Sequence, residues 1–204
     1  SFGLTATLLM CLGGVKTFFY PSPLHYRIIP EIIYDIGATV LFGTDTFLSG
    51  YAAYAHPYDF HSLRCVIAGA EKLKSTTRQT WLDKFGIRIF ESYGVTEAAS
   101  VIATNTPMHD RPGTVGHLLP KIEYFLQPVE GIKEGGRLCI RGPNIMQGYM
   151  SDATHSDAPH SDAPGVIKLP SVAKLGEGWY DTGDIVSVDD EGYLTILGRE
   201  KERP

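Results

Sequence analysis

Apolar positions along this chain change their spacing near residue 105. From Phe2 to about Thr104 they alternate between helical periodicity and short continuous runs, the pattern of helices interleaved with buried strands. Leu4 to Leu12 is apolar all round and predicts a buried helix, and the aromatic-rich Thr17 to Tyr20 predicts a short strand. Pro30 to Ile36 places Ile32, Ile33 and Ile36 on one face, with Pro30 suited to a first turn and Gly37 to the C′ position. Thr39 to Phe42 reads as a fully buried strand, Phe47 to Ala55 as a helix, and Arg64 to Ala68 as a strand ending at Gly69. Ser75 is placed to cap a helix that runs to Phe85 and stops at Gly86, and Arg88 to Glu91 is the next strand.

Beyond Asn105 the punctuation becomes dense, with Pro107, Pro112, Gly113, Gly116 and Pro120. Short β-like runs follow at Ile122 to Pro128, Arg137 to Arg141, Ile185 to Val188 and Tyr193 to Leu197, and Asp189-Asp190-Glu191-Gly192 suits a hairpin loop. The fold class expected is α/β: part of a parallel, helix-flanked sheet subdomain over 1–104, followed by a small distorted antiparallel β-barrel subdomain over 105–197. In open parallel sheets ligands bind beyond the carboxyl ends of the strands. Gly69-Ala70-Glu71 and Ser92-Tyr93-Gly94 both fall at such ends.

Two strings carry candidate chemistry, Glu91-Ser-Tyr-Gly-Val-Thr-Glu97 and Gly178-Trp-Tyr-Asp-Thr-Gly-Asp184. Tyr93 offers a flat face for a base, Thr96 a hydroxyl for a phosphate oxygen, Glu97 a hard carboxylate for Mg²⁺, and Asp184 paired acceptors for vicinal ribose hydroxyls. Each residue also has a plain structural use. Tyr93 could be a core tyrosine at a strand end, Thr96 an N-cap, Glu97 a first-turn acid, and Asp184 an Asx-turn residue.

The Tyr-Gly-x-Thr-Glu string, the Tyr-x-Thr-Gly-Asp string and Gly198-Arg199-Glu200-Lys201 together resemble three core motifs of the adenylate-forming superfamily, in the same order and spacing. That superfamily includes acyl-CoA synthetases, luciferases and peptide-synthetase adenylation domains. Tyr20-Pro-Ser-Pro-Leu-His-Tyr-Arg27, Pro57-Tyr-Asp-Phe60 and Gly142-Pro-Asn-Ile-Met146 look most like the acyl-carrier-protein synthetase half of bacterial 2-acylglycerophosphoethanolamine acyltransferases.

The resemblance implies a ligase that joins a fatty acid to AMP and passes the acyl group to a phosphopantetheine thiol, on acyl carrier protein or CoA. It implies ATP/AMP and Mg²⁺ as cofactors. The backbone at Gly69, Ala70 and Glu71 would line the adenine pocket with Ser92, Tyr93 and Gly94. Thr96 and Glu97 would be catalytic, with Glu97 holding the metal. Asp184 would bind the ribose, Arg199 would stand near it, and Lys201 would occupy a hinge spanning 198–204. For Arg199 and Lys201 an exposed charged tail is the plain alternative. It further implies a cytoplasmic protein, with the parent at the bacterial inner membrane. Two positions depart from the superfamily's pattern: Asp181 stands where a basic residue is usual, and Arg137 where Gly-Glu is usual.

Composition narrows the field. A hydrophobic share of 43% in 204 residues supports a real core, and a net charge of −5 with scattered basic residues argues against nucleic-acid partners. Cys11, Cys65 and Cys139 are odd in number and far apart, which suggests a reducing compartment and three small buried hydrophobes. The run Leu4 to Val15 is too short to span a bilayer. The tandem repeat His155-Ser-Asp-Ala-Pro159 and His160-Ser-Asp-Ala-Pro164 reads as a solvated surface loop. No Gly-x-x-x-x-Gly-Lys-Ser/Thr loop occurs. Together with the apolar start at Ser1-Phe2-Gly3-Leu4 and the charged tail, this gives the expectation of an internal fragment. Such a piece would bind adenosine nucleotide weakly and lack adenylation activity. The alternative is a non-catalytic nucleotide-binding module.

Overall fold

The computed structural model describes residues 2–150, 166–168 and 176–199. The Lys201 hinge position and the His-Ser-Asp-Ala-Pro repeat lie outside them. Helix α1 spans Phe2–Leu12, α2 Ile28–Ile36, α3 Asp45–Tyr54 and α4 Ser75–Phe85. Strands β1 (Val40–Gly43), β2 (Cys65–Ala68) and β3 (Ile89–Val95) pair in parallel. Strands β4 (Ser100–Thr104) and β5 (His117–Leu118) extend that sheet antiparallel, in the order β1-β2-β3-β4-β5. A second sheet contains β6 (Glu123–Gln127), β7 (Gly136–Arg141), β10 (Tyr180–Val188) and β11 (Leu194–Arg199) in the order β11-β10-β7-β6. Strands β8 (Gly148–Met150) and β9 (Val166–Lys168) form a separate antiparallel pair.

The helices end where the sequence says they should. Gly37 and Gly86 adopt left-handed conformations and return their N–H groups to the last turns of α2 and α4. Helix α3 begins two residues earlier than the apolar spacing suggests, because Thr44 caps it by accepting from Phe47 N at 3.4 Å. Helices α3 and α4 lock together through Trp81, which is fully buried. Its ring stacks on Phe60 at 4.8 Å, and its indole N–H donates to the Leu48 carbonyl at 2.9 Å. This core joins α2, α3 and α4 to strands β2 and β3.

Several expectations are corrected. Helix α1 forms, but Leu8, Leu9, Leu12 and Cys11 are exposed, because apolarity all round does not by itself bring a neighbour to cover every face. Thr17 to Tyr20 pairs with no strand among the described residues. Phe18 and Phe19 are exposed, and the segment is held instead by Tyr20 Oη to His25 Nδ1 at 2.7 Å. In α2 the buried residues are Ile29, Pro30 and Ile33, because the helix starts at Ile28 and is rotated accordingly. Strand β1 is a sheet edge, which leaves Val40 exposed. Lys74, not Ser75, holds the cap position of α4 and makes no side-chain cap. The expected barrel is an open four-stranded antiparallel sheet among the described residues, with β6 and β11 as its edges. The hairpin at 189–192 forms as the turn residues predict: Gly192 is left-handed and donates to Asp189 O at 2.9 Å.

Candidate functional site

Strand β3 continues past Glu91 and carries the first string on the strand itself. Its backbone leaves the parallel sheet at Ala68↔Glu91 and pairs antiparallel with β4 from Ser92↔Thr104 onward. The register shifts between Tyr93 and Gly94. A Cβ at Gly94 would lie 1.4 Å from the Ser100 carbonyl oxygen, so only glycine fits this bulge. Then comes a three-residue 3₁₀ turn, Thr96–Ala98, closed by Ala99 and Ser100 at φ of 52° and 84°. Two successive non-glycine residues in the left-handed region store strain beside Thr96 and Glu97. The turn is too short for a helix dipole, and Val95 holds its cap position. The N-cap alternative for Thr96 therefore does not apply, whereas Glu97 does stand in the first turn of this short element.

The second string lies on β10. Its register against β7 shifts between Asp181 and Ile185, and Gly183 adopts φ 71° inside that bulge. Thr182 Oγ1 donates to Leu138 O at 2.9 Å and accepts from Asp184 N at 3.1 Å. The side chain of Asp184 turns inward. There Tyr93 Oη donates to Asp184 Oδ2 at 2.5 Å, and Arg199 Nε stands 3.0 Å from Asp184 Oδ1. The structure thus joins Tyr93, Asp184 and Arg199, residues from all three motifs. Tyr93 and Asp184 are each 8% exposed. Burial first, then the neighbouring Asp184 carboxylate, pushes the Tyr93 phenol far above its ordinary value.

A second constellation surrounds Glu97. Its Oε1 accepts from Tyr149 Oη at 2.7 Å, and the Tyr180 phenol lies close to the same carboxylate. The turn backbone is pinned by Met146 N donating to Glu97 O at 2.8 Å and by Asn144 Nδ2 donating to Ala98 O at 2.7 Å. Burial pushes the Glu97 carboxyl up, yet hydrogen bonds led by Tyr149, with Arg199 nearby, outweigh it and hold it below the usual range. Thr96 is exposed on the same turn.

The loop after β2 meets β3 closely. Ser92 Oγ donates to Ala68 O at 3.0 Å, Gly69 N to Gly43 O at 3.1 Å, and a Cβ at Gly69 would lie 2.9 Å from Ser92 Oγ. Ala70 sits at φ 66°. The Glu71 side chain is committed elsewhere: its Oε2 accepts from Thr46 N at 3.0 Å and Thr46 Oγ1 at 2.8 Å, at the start of α3. Spacing along the chain marks no role for Asn144, Tyr149 or Tyr180. No local signal shows that a chain segment so far along will fold onto Glu97.

The two departures from the superfamily's pattern meet each other. Arg137 Nε lies 3.1 Å from Asp181 Oδ2, an ion pair between β7 and β10.

A model of the AMP-binding enzyme family matches residues 1–150. The chain belongs to this family. Among AMP-binding relatives, the p-hydroxybenzoic acid–AMP ligase of Mycobacterium marinum is 27% identical over 191 residues, covering 91% of this chain and 25% of that protein. The long-chain-fatty-acid–CoA ligase of Salmonella typhimurium is 30% identical over 217 residues, covering 98% and 35%. The fold is that of o-succinylbenzoate coenzyme A synthetase of Bacillus subtilis, solved with ATP and magnesium ion: TM-score 0.71, 24% identity, 98% of this chain and 39% of that one. The chain therefore spans about a quarter to a third of the curated relatives it matches.

The AMP-binding chain's donor set fits a magnesium nucleotide. No group of three or more His, Cys, Asp or Glu able to hold a metal occurs among the described residues. Mg²⁺ asks for little more than one carboxylate alongside substrate phosphates and water, which is what Glu97 offers. Among the described residues Asp184 has one side-chain partner on each oxygen, which leaves further acceptor positions on the carboxylate. No described helix is long and apolar enough to cross a membrane.

Proposed function

We propose that this chain forms the adenine, ribose and metal walls of an ATP-dependent acyl-activating ligase. Its substrate is a fatty acid and its acceptor the phosphopantetheine thiol of acyl carrier protein or CoA, at the cytoplasmic face of the bacterial inner membrane. The observation that carries the reading is the convergence of Tyr93, Asp184 and Arg199 within hydrogen-bonding reach. Residues 1–104 supply the base-facing loops, 105–197 the ribose-facing strand, and 198–204 the hinge.

A carboxylate is a poor electrophile at neutral pH and must first be joined to a good leaving group. Its oxygen attacks the α-phosphorus of ATP, the bond to pyrophosphate breaks, and an acyl-adenylate forms. A thiolate then attacks the acyl carbon and AMP leaves. Catalysis of such steps is mostly positioning and charge stabilisation. The Asp184 carboxylate accepts the two ribose hydroxyls, anchored by Arg199. The Thr96 hydroxyl donates to an α-phosphate oxygen, and Glu97 holds the cation. Bound Mg²⁺ neutralises charge on the phosphates. The narrower kinship to the acyl-carrier-protein synthetase half of 2-acylglycerophosphoethanolamine acyltransferases rests on the strings at 20–27, 57–60 and 142–146.

Calorimetric titration with AMP and with 2′,3′-dideoxy-AMP tests the reading. The wild-type chain binds AMP at least about tenfold more tightly, the value of one or two well-made hydrogen bonds. Asp184→Ala erases that preference. Equal affinity of the wild type for both ligands refutes the ribose assignment. The 204-residue polypeptide is expected to show no ATP–pyrophosphate exchange, and robust exchange would overturn the walls-only reading.

A further inference from the structure

The carboxylate most exposed to conformational drift in the site is Glu97. It stands on a three-residue turn that lacks the hydrogen-bond ladder of a helix, next to two residues in the left-handed region. A glutamate side chain left free there loses rotamer entropy each time a ligand immobilises it. The structure supplies that immobilisation in advance, from two directions. Residues 144–149 lie along the turn: Asn144 Nδ2 and Met146 N hold the carbonyls of Ala98 and Glu97, and Tyr149 Oη reaches the carboxylate at 2.7 Å. From β10 Tyr180 brings a second phenol close to Glu97 and Tyr149. Since β10 also carries Asp184, the carboxylate that faces the ribose and the phenol that steadies Glu97 are fixed by one strand.

We propose that Tyr149 and Tyr180 are positioning residues that pre-orient the Glu97 carboxylate for a divalent cation. The proposal rests on the assignment of Glu97 as the metal-holding residue. A carboxylate offers about four acceptor positions, and one phenol on Oε1 leaves open positions for a cation. The phenols donate hydrogen bonds and withdraw no ligand from the metal. Each freezes the side chain in the rotamer it will use, the general way in which a supporting shell strengthens a metal site.

The test uses the full 204-residue chain and a fluorescent N-methylanthraniloyl ATP probe, titrated with MgCl₂. Wild type is compared with Tyr149→Phe, Tyr180→Phe and Glu97→Gln, and AMP binding in EDTA is measured for each. Tyr149→Phe deletes one oxygen from a half-exposed ring, so circular dichroism and melting temperature should match the wild type. The Mg²⁺ concentration for half-maximal probe binding rises roughly three- to tenfold in Tyr149→Phe, the worth of one charge-assisted hydrogen bond discounted for its exposure. It rises in Tyr180→Phe as well, while AMP affinity in EDTA stays within about twofold, ordinary scatter between variants. A merely structural role would move both readouts together.

If Glu97→Gln abolishes Mg²⁺ dependence but Tyr149→Phe leaves the half-saturating concentration unchanged, the positioning role is wrong and the metal assignment stands. A lower half-saturating concentration in Tyr149→Phe would show that the phenol competes with the cation, which also overturns the proposal. If Glu97→Gln leaves Mg²⁺ dependence intact, the metal assignment fails and the positioning role falls with it.

Discussion

Deleting the Tyr93 hydroxyl isolates the contact that joins the two strings. Tyr93→Phe keeps the ring in its core among Val95, Ile102 and Val186, and removes only the donor to Asp184 Oδ2 at 2.5 Å. A hydrogen bond to a charged acceptor contributes about 1.5–3 kcal/mol. Arg199 stays at 3.0 Å on the other carboxylate oxygen, so Asp184 is not stranded and the lower end applies. The expected loss is about 1.5 kcal/mol, or roughly 3–6 °C in melting temperature for a chain of this size. Urea and thermal unfolding followed by circular dichroism measure it.

The pH dependence of that loss has a definite sign. The folded-state value of Tyr93 is raised above the ordinary 10.0, by burial and by Asp184. Its contribution is therefore fully present below pH 10.0 and is lost as pH rises from there toward the folded value. The gap between wild type and Tyr93→Phe should be flat from neutral pH up to about that point and narrow above it. AMP affinity should fall much less than in Asp184→Ala, since the ring is retained. A stability change under about 0.5 kcal/mol, the scatter of surface substitutions, would refute the contact as a structural link.

Three further outcomes are expected. Gly94→Ala places a methyl group on the Ser100 carbonyl oxygen and forces the bulge open, costing roughly 1–3 kcal/mol or more in urea unfolding and weakening nucleotide binding in the calorimeter. Arg137→Glu sets two acids against each other across β7 and β10 and loses about 1 kcal/mol, after discounting for a pair that is about a third exposed; the double variant with Asp181→Arg should recover most of it in a double-mutant cycle. Trp81→Phe removes the donor to Leu48 O and leaves a buried carbonyl unpaired beside a small cavity, destabilising by roughly 2–4 kcal/mol in chemical denaturation while AMP affinity in the folded protein is unchanged.

How far the sequence could be read depended on the range of the forces involved. Helices α2, α3 and α4 and strands β2, β6 and β7 are set by local periodicity and by stops such as Gly37 and Gly86, so they appear close to where spacing puts them. The α1 run was read correctly as helix and wrongly as buried, because apolarity fixes solubility preference but not what arrives to cover it. Cys139 was read correctly: it is buried, and burial pushes its thiol up to about 11, far from reactive. Cys11, on the exposed face of α1, was not. Strand β4 was invisible because Ser100–Thr104 pairs with β3 only after a strained reversal that no periodicity encodes. Tyr149 was missed for the same reason, its value arising from a contact with Glu97 made across the fold.

Both strings sit at β-bulges, and this explains how they come to face each other. A regular β3 would alternate its side chains strictly, and a regular β10 would hand every residue of Asp181 to Ile185 to β7. Instead the register slips between Tyr93 and Gly94 on one strand and between Asp181 and Ile185 on the other. Each slip releases a polar side chain from its ladder and re-aims it. The first depends on a glycine because the Ser100 carbonyl fills the space of a Cβ, the second on a glycine because its φ is 71°. The glycines in Tyr-Gly-x-Thr-Glu and Thr-Gly-Asp therefore act one step before the chemistry: they bend two sheets so that Tyr93 and Asp184 meet. On this argument Gly183→Ala, which meets no atom within 4 Å and suffers only backbone strain, should cost about 1 kcal/mol. Yet it should erase the preference for AMP over its dideoxy analogue, because the bulge that aims Asp184 is what the strain relaxes. Retention of that preference in a destabilised Gly183→Ala protein would show that Asp184 is aimed by Tyr93 and Arg199 instead.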